Sequence, residues 1–96
     1  MTIHITFNNM KHSESVTEHV HEIMKELIKI TDNKFPFSMN LTKENDQQHH
    51  VVLNCSYMGK DLSSNASHEN LYKAIGKTVD SMKTQVLRKS KKTYRK

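Results

Sequence analysis

Hydrophobic positions recur along this chain at two different periods, and the switches between them mark out the elements. In Thr2–Phe7, Ile3, Ile5 and Phe7 alternate with His4 and Thr6, the two-residue period of a strand with one buried face. Asn8-Asn9 breaks the alternation, and Ser13 followed by Glu14 has the make-up of a helix N-cap with an acid in the first turn. Val16, Val20, Ile23, Leu27 and Ile30 then fall at intervals of three and four, which predicts a helix of about 17 residues with one apolar stripe. Its other side carries Glu14, Glu18, Glu22, Glu26, Lys25 and Lys29. That side is mostly acidic and would repel a phosphate backbone.

After Asp32-Asn33 the period returns to two. Phe35, Phe37, Met39 and Leu41 take one side and Pro36, Ser38 and Asn40 the other, and a proline there fits the beginning or edge of a strand. Glu44–Gln48 reads as a polar loop. Val51, Leu53 and Cys55 alternate again, Tyr57-Met58-Gly59-Lys60 supplies a hairpin turn, and Leu62, Ser64 and Ala66 follow, so the third and fourth strands should be antiparallel neighbours. Asn70 is a good N-cap for a second helix whose stripe is Leu71, Ile75, Val79, Met82 and Val86. The methionines are single and scattered, so Met24 and the others read as gap-fillers or surface residues.

Two striped helices and four one-faced strands share an apolar layer most economically in an α+β, two-layer β-α-β-β-β-α sandwich. Both helices lie on one face of a four-stranded mixed sheet. The first crossover should be right-handed and make the first two strands parallel, with a meander after it. The exposed sheet face would then show Thr2, His4, Thr6, Ser38, Asn40, Thr42, Val52, Asn54, Ser56, Ser63, Asn65 and Ser67. It is almost uncharged and lacks the aromatic pair on which sheet-face binders of single-stranded RNA stack bases.

Ninety-six residues allow one domain, read here as 1–90 with a short basic tail at 91–96. An apolar fraction of 34% and a mean hydropathy of -0.77 leave few large apolar residues to spare. The single cysteine, Cys55, excludes a disulfide within the chain. No apolar run reaches the roughly 18 residues of a membrane span, and no cleavable leader is visible. A cytoplasmic protein is the expectation.

Charge is the asymmetry that points to function. Residues 1–68 hold 6 Lys and Arg against 8 Asp and Glu, whereas residues 69–96 hold 9 against 2. From Lys83 onward come Lys83, Arg88, Lys89, Lys91, Lys92, Arg95 and Lys96 with no acid among them, the footprint of a polyanion binder. Lys73 and Lys77 add to it on the second helix.

No chemistry competes with this reading. His19 and His21 are two apart on a helix, His49 and His50 point to opposite sides of a strand, and His4 is a whole strand away from His50. No metal-ligand spacing exists, and no metal or other cofactor is expected. Glu69 and Asp80 share no pocket, so catalysis by paired carboxylates is unsupported, and Asp80 is more simply a partner for Lys77, Lys83 or Thr84. There is no glycine-rich phosphate loop. His68, beside the start of the second helix, is a boundary residue that could meet RNA. Tyr72 fits packing as well as base stacking, and Tyr94 could stack among its basic neighbours.

Taken in order, Ile3-His4-Ile5-Thr6-Phe7-Asn8-Asn9, Ser13-Glu14 and Asn70-Leu71-Tyr72-Lys73-Ala74-Ile75, with Asp80 and the Lys-rich end, resemble the ribosome hibernation promoting factor family. That family is also called sigma-54 modulation or ribosome-associated inhibitor proteins. The resemblance covers nearly the whole chain and implies a non-enzymatic bacterial protein of β-α-β-β-β-α fold, similar in outline to a double-stranded RNA-binding domain. Members sit in the decoding channel of the small ribosomal subunit, where messenger and transfer RNAs would bind, and silence translation in stationary phase or stress. The positions here that match the rRNA-contacting helix and end are Lys73, Lys77, Lys83, Arg88, Lys89, Lys91 and Lys92, with Arg95 beyond them. The chain departs from the family pattern at His68, Asn70, Lys73 and Gly76, which makes the site more basic. Its end soon after the second helix is similar to the short form, a monomer in solution that promotes ribosome dimerisation with a separate ribosome modulation factor. Two other readings fit the same residues: a general double-stranded RNA binder, or a protein-interaction module whose basic tail docks on an acidic partner.

Overall fold

The computed structural model describes residues 3–31, 36–57 and 59–95, the last seven of these as backbone only. Its elements are β1 (Ile3–Asn8), α1 (Glu14–Ile30), β2 (Phe37–Asn45), β3 (Gln48–Tyr57), β4 (Lys60–His68) and α2 (Leu71–Arg95). The expected Thr2, Phe35 and Met58 and the Asp32-Asn33 break lie outside the described residues. The sheet order is β1-β2-β3-β4, with β1 parallel to β2 and both later pairs antiparallel. This is the mixed sheet and α+β order that the periodicity predicts.

Alternation explains which face carries the core. Phe37, Met39 and Leu41 of β2 and Val51, Leu53, Cys55 and Tyr57 of β3 are buried on the face covered by the helices. The helices contribute Val16, Val20, Met24, Leu27 and Ile28 from α1 and Leu71, Ala74, Ile75, Val79, Met82 and Val86 from α2. On α1 Val20, Met24 and Leu27 are fully buried, Val16 and Ile28 lie at the margins of the same face, and the predicted Ile23 and Ile30 are only partly buried. Ile23 lies on the flank of this face toward α2, close to Gly76.

Small residues seat α2 over β3 and β4. Ser64 and Thr78 are buried where a larger pair would hold helix and sheet apart. Their hydroxyls are satisfied: Ser64 Oγ donates to the Thr78 carbonyl at 2.8 Å, and Thr78 Oγ1 donates to the Ala74 carbonyl at 2.8 Å. Such pairing removes the cost of an unmet buried polar group.

The turns follow from their residues. Asn9 takes a left-handed φ of 58°, which asparagine tolerates, and its Nδ2 donates to the Lys43 carbonyl at 2.8 Å. Gly59 has φ 81° at the β3–β4 hairpin, where the missing Cβ removes the strain. The loop expected at Glu44–Gln48 is shorter than its polarity suggests. β2 and β3 pair as far as Asn45↔Gln48, with a register shift between Lys43 and Asn45, because Asn45 Oδ1 accepts from the Gln47 N–H at 2.8 Å and closes a tight turn. Ser13 caps α1 by accepting from the Val16 N–H.

Candidate nucleic-acid interface

α2 positions the basic side chains, and helical spacing sorts them. At about 100° per residue, Lys73, Lys77 and Arg88 fall within about 60° of one another on the outer side of the helix, and all three are exposed. Asp80 lies at the border of this strip, and its carbonyl accepts from Thr84 Oγ1 at 3.1 Å. No carboxylate falls within the strip itself on α2 as far as Arg88. The backbone stays helical to Arg95, so 91–95 continues α2. The side chains of Lys89, Lys91, Lys92, Tyr94 and Arg95 lie outside the described residues.

Lys83 does not join the strip. It lies about 120° round the helix from Lys77, and its Nζ sits 2.8 Å from Glu26 Oε1 on α1. The Lys83 hydrogen bond and charge hold the Glu26 carboxyl below its ordinary range, and Glu26 in turn raises Lys83. Lys83 is thus engaged by a carboxylate of α1, where the sequence counted it in the RNA-binding run and offered only Asp80 as a partner. Sequence reading missed Glu26 because the signal is tertiary. Only the lateral register of the helices, with His19 against Tyr72, Ile23 against Gly76 and Glu26 against Lys83, shows that α1 and α2 run parallel.

The other singled-out residues divide by environment. Tyr72 is 42% exposed, and its ring stands edge-on to His19 with centroids 4.8 Å apart, which answers the packing alternative with a half-packed ring. His68 holds a backbone group at the start of α2: its Nδ1 accepts from the Asn70 N–H at 2.9 Å. Cys55 is buried and its thiol is pushed up to about 11 by burial, which suits a core residue and not a nucleophile. Among the described residues no group of three His, Cys, Asp or Glu side chains could hold a metal, and no helix is long and apolar enough to cross a membrane.

The opposite sheet face presents rows that are polar except at Val52 and hold no Lys, Arg, Asp or Glu: His4–Ser38–Asn54–Ser63, Thr6–Asn40–Val52–Asn65 and Asn8–Thr42–His50–Ser67. An open hollow of about 520 Å³ lies over its first row, with Asp61 at the rim. Positive charge is therefore concentrated on α2, with the mostly acidic outer side of α1 beside it and a neutral sheet behind.

Comparison with curated protein sequences found no significant match. Among solved structures, the N-terminal domain of Thermus thermophilus Protein Y superposes with a TM-score of 0.81 at 20% identity, covering 92% of this chain and 98% of that one. A ribosomal subunit interface protein from Coxiella burnetii gives 0.82 at 16% identity, covering 94% and 98%. At these identities the likeness establishes the fold. The sequence model described as Sigma 54 modulation protein / S30EA ribosomal protein matches residues 3–94. With that match spanning nearly the whole length, the chain belongs to the Sigma 54 modulation protein / S30EA ribosomal protein family, a non-catalytic family of ribosome-associated proteins.

Proposed function

We propose that this protein binds ribosomal RNA in the decoding region of the small subunit through the outer strip of α2, blocks messenger and transfer RNA there, and so silences translation in stationary phase or stress. The observation that carries the proposal is the segregation of Lys73, Lys77 and Arg88 on one side of one helix. Family membership supports the ribosome as the place of action, and the Coxiella burnetii structure, named a ribosomal subunit interface protein, points the same way. Lys89, Lys91, Lys92 and Arg95 add to the contact in this reading, with His68 and Tyr94 as further contacts. The protein acts in the bacterial cytoplasm, and it pairs ribosomes together with a separate modulation factor.

The mechanism is occupancy without bond chemistry. Lysine and arginine neutralise phosphates and release counterions, and the rigid helix-on-sheet body excludes competing RNAs sterically. Binding to isolated small subunits, measured across a salt series, should give a log–log slope of about -3 to -5 if roughly four to six phosphates are neutralised. Messenger and transfer RNA added together should displace the protein. A slope near zero, or binding indifferent to both RNAs, would overturn the reading. Equal affinity for any RNA duplex would favour the general double-stranded RNA binder, and binding that survives nuclease treatment would favour an acidic protein partner.

A further inference from the structure

The junction between β4 and α2 is held by two imidazoles with opposite proton requirements. His49 and His68 are register partners on β3 and β4. His49 Nδ1 lies 2.9 Å from the Glu69 carbonyl, and since a carbonyl only accepts, this nitrogen carries the proton. His68 Nδ1 accepts from the Asn70 N–H at 2.9 Å, so this nitrogen must be bare. Asn70 in turn caps α2, its Oδ1 accepting from the N–H groups of Tyr72 at 2.9 Å and Lys73 at 3.4 Å. One chain of hydrogen bonds therefore runs from the His68 ring through the cap into the first turn of α2.

Protonation treats the two rings differently. An imidazolium donates from both nitrogens, so His49 keeps its bond to Glu69 whichever state it is in. His68 loses its acceptor on gaining a proton, and the new cation then faces the positive end of the α2 dipole. We propose that the β4–α2 junction is a pH-sensitive latch, closed on the Asn70 N–H by neutral His68 and released when His68 is protonated.

Titratable and charged groups surround it from each neighbouring element. Lys43 on β2 is the register partner of His49, with Asp46 at 3.9 Å from its Nζ. Glu69 lies in the junction itself, Lys73 in the first turn of α2, and His19 of α1 against Tyr72. His50 projects from the other sheet face, its Nδ1 2.7 Å from Ser67 Oγ. Of these side-chain types, histidine alone ordinarily changes charge between pH 5 and 8. The latch rests on contacts within the chain alone, and its test needs no RNA.

The test is a nuclear magnetic resonance titration of the full chain from pH 8 to pH 5, following the imidazoles and backbone amides together. The Asn70 amide should move upfield with the midpoint of the His68 ring, and its exchange protection, corrected for intrinsic rates, should fall about two- to tenfold, as loss of one net hydrogen bond implies. The His49 contact to Glu69 should persist throughout. In His68→Asn, whose side-chain oxygen can accept from the same N–H without titrating, the Asn70 response should vanish. An Asn70 amide that ignores the His68 titration in the native protein overturns the latch, and so does a response that survives in His68→Asn.

Discussion

Gly76 sits in the middle of α2, where glycine costs about 1 kcal/mol relative to alanine, yet nothing in its surroundings demands it. A Cβ there would meet only Ile23 Cδ1 at 3.9 Å, an ordinary contact. Gly76→Ala should therefore raise stability by about 0.5–1 kcal/mol, measurable by urea unfolding. Cys55 makes the opposite kind of statement. Buried, with its thiol pushed up to about 11, it should react with a thiol reagent at neutral pH far more slowly in the native protein than in urea. The Glu26–Lys83 pair gives a pH signature at the same scale. Glu26 is lowered by its partner, so its contribution is complete above the ordinary value of 4.5 and is lost as pH falls through the lowered one. Lys83 is raised, so its contribution is complete below 10.5 and is lost as pH rises through the raised value. The melting-temperature gap between the native protein and Glu26→Gln should be open at neutral pH and close in acid. A gap that persists unchanged at pH 2 would remove the ion pair from the explanation.

Among the elements, the caps and stripes were legible because each depends on residues close in sequence. Ser13 and Asn70 are caps by local chemistry, and both cap in the structure. Asn70→Ala should cost about 1 kcal/mol, within the range of about 0.5–2 for lost N-caps, seen as a lower midpoint in thermal or urea unfolding. The alternation of β2, β3 and β4 was equally plain. What local reasoning could not supply was the lateral register. That Ile23 would sit on the flank facing Gly76, only partly buried, while Met24 joins Val20 and Leu27 in the core, depends on how α2 lies alongside. The short β2–β3 turn escaped notice because polarity resembles a loop, whereas the side chain of Asn45 closes a hairpin.

At the scale of the whole molecule, charge separation defines the proposed contact. The basic residues were visible in the sequence as a run, but their division was not. Lys73, Lys77 and Arg88 share the outer strip of α2, while Lys83 is turned into the helix–helix groove against Glu26. Reversing Lys83 should consequently weaken ribosome binding less than reversing Lys77, a difference that filter binding at moderate salt would resolve. The central claim is tested most directly by sedimenting purified ribosomes and small subunits through sucrose gradients with three proteins: the native chain, Lys73→Glu with Lys77→Glu, and Glu18→Lys with Glu22→Lys. The account predicts that the native chain and the α1 variant travel with the small subunit and the intact ribosome, while the α2 variant stays at the top of the gradient. Co-migration of the α2 variant at native levels, or equal loss from both variants, would contradict it.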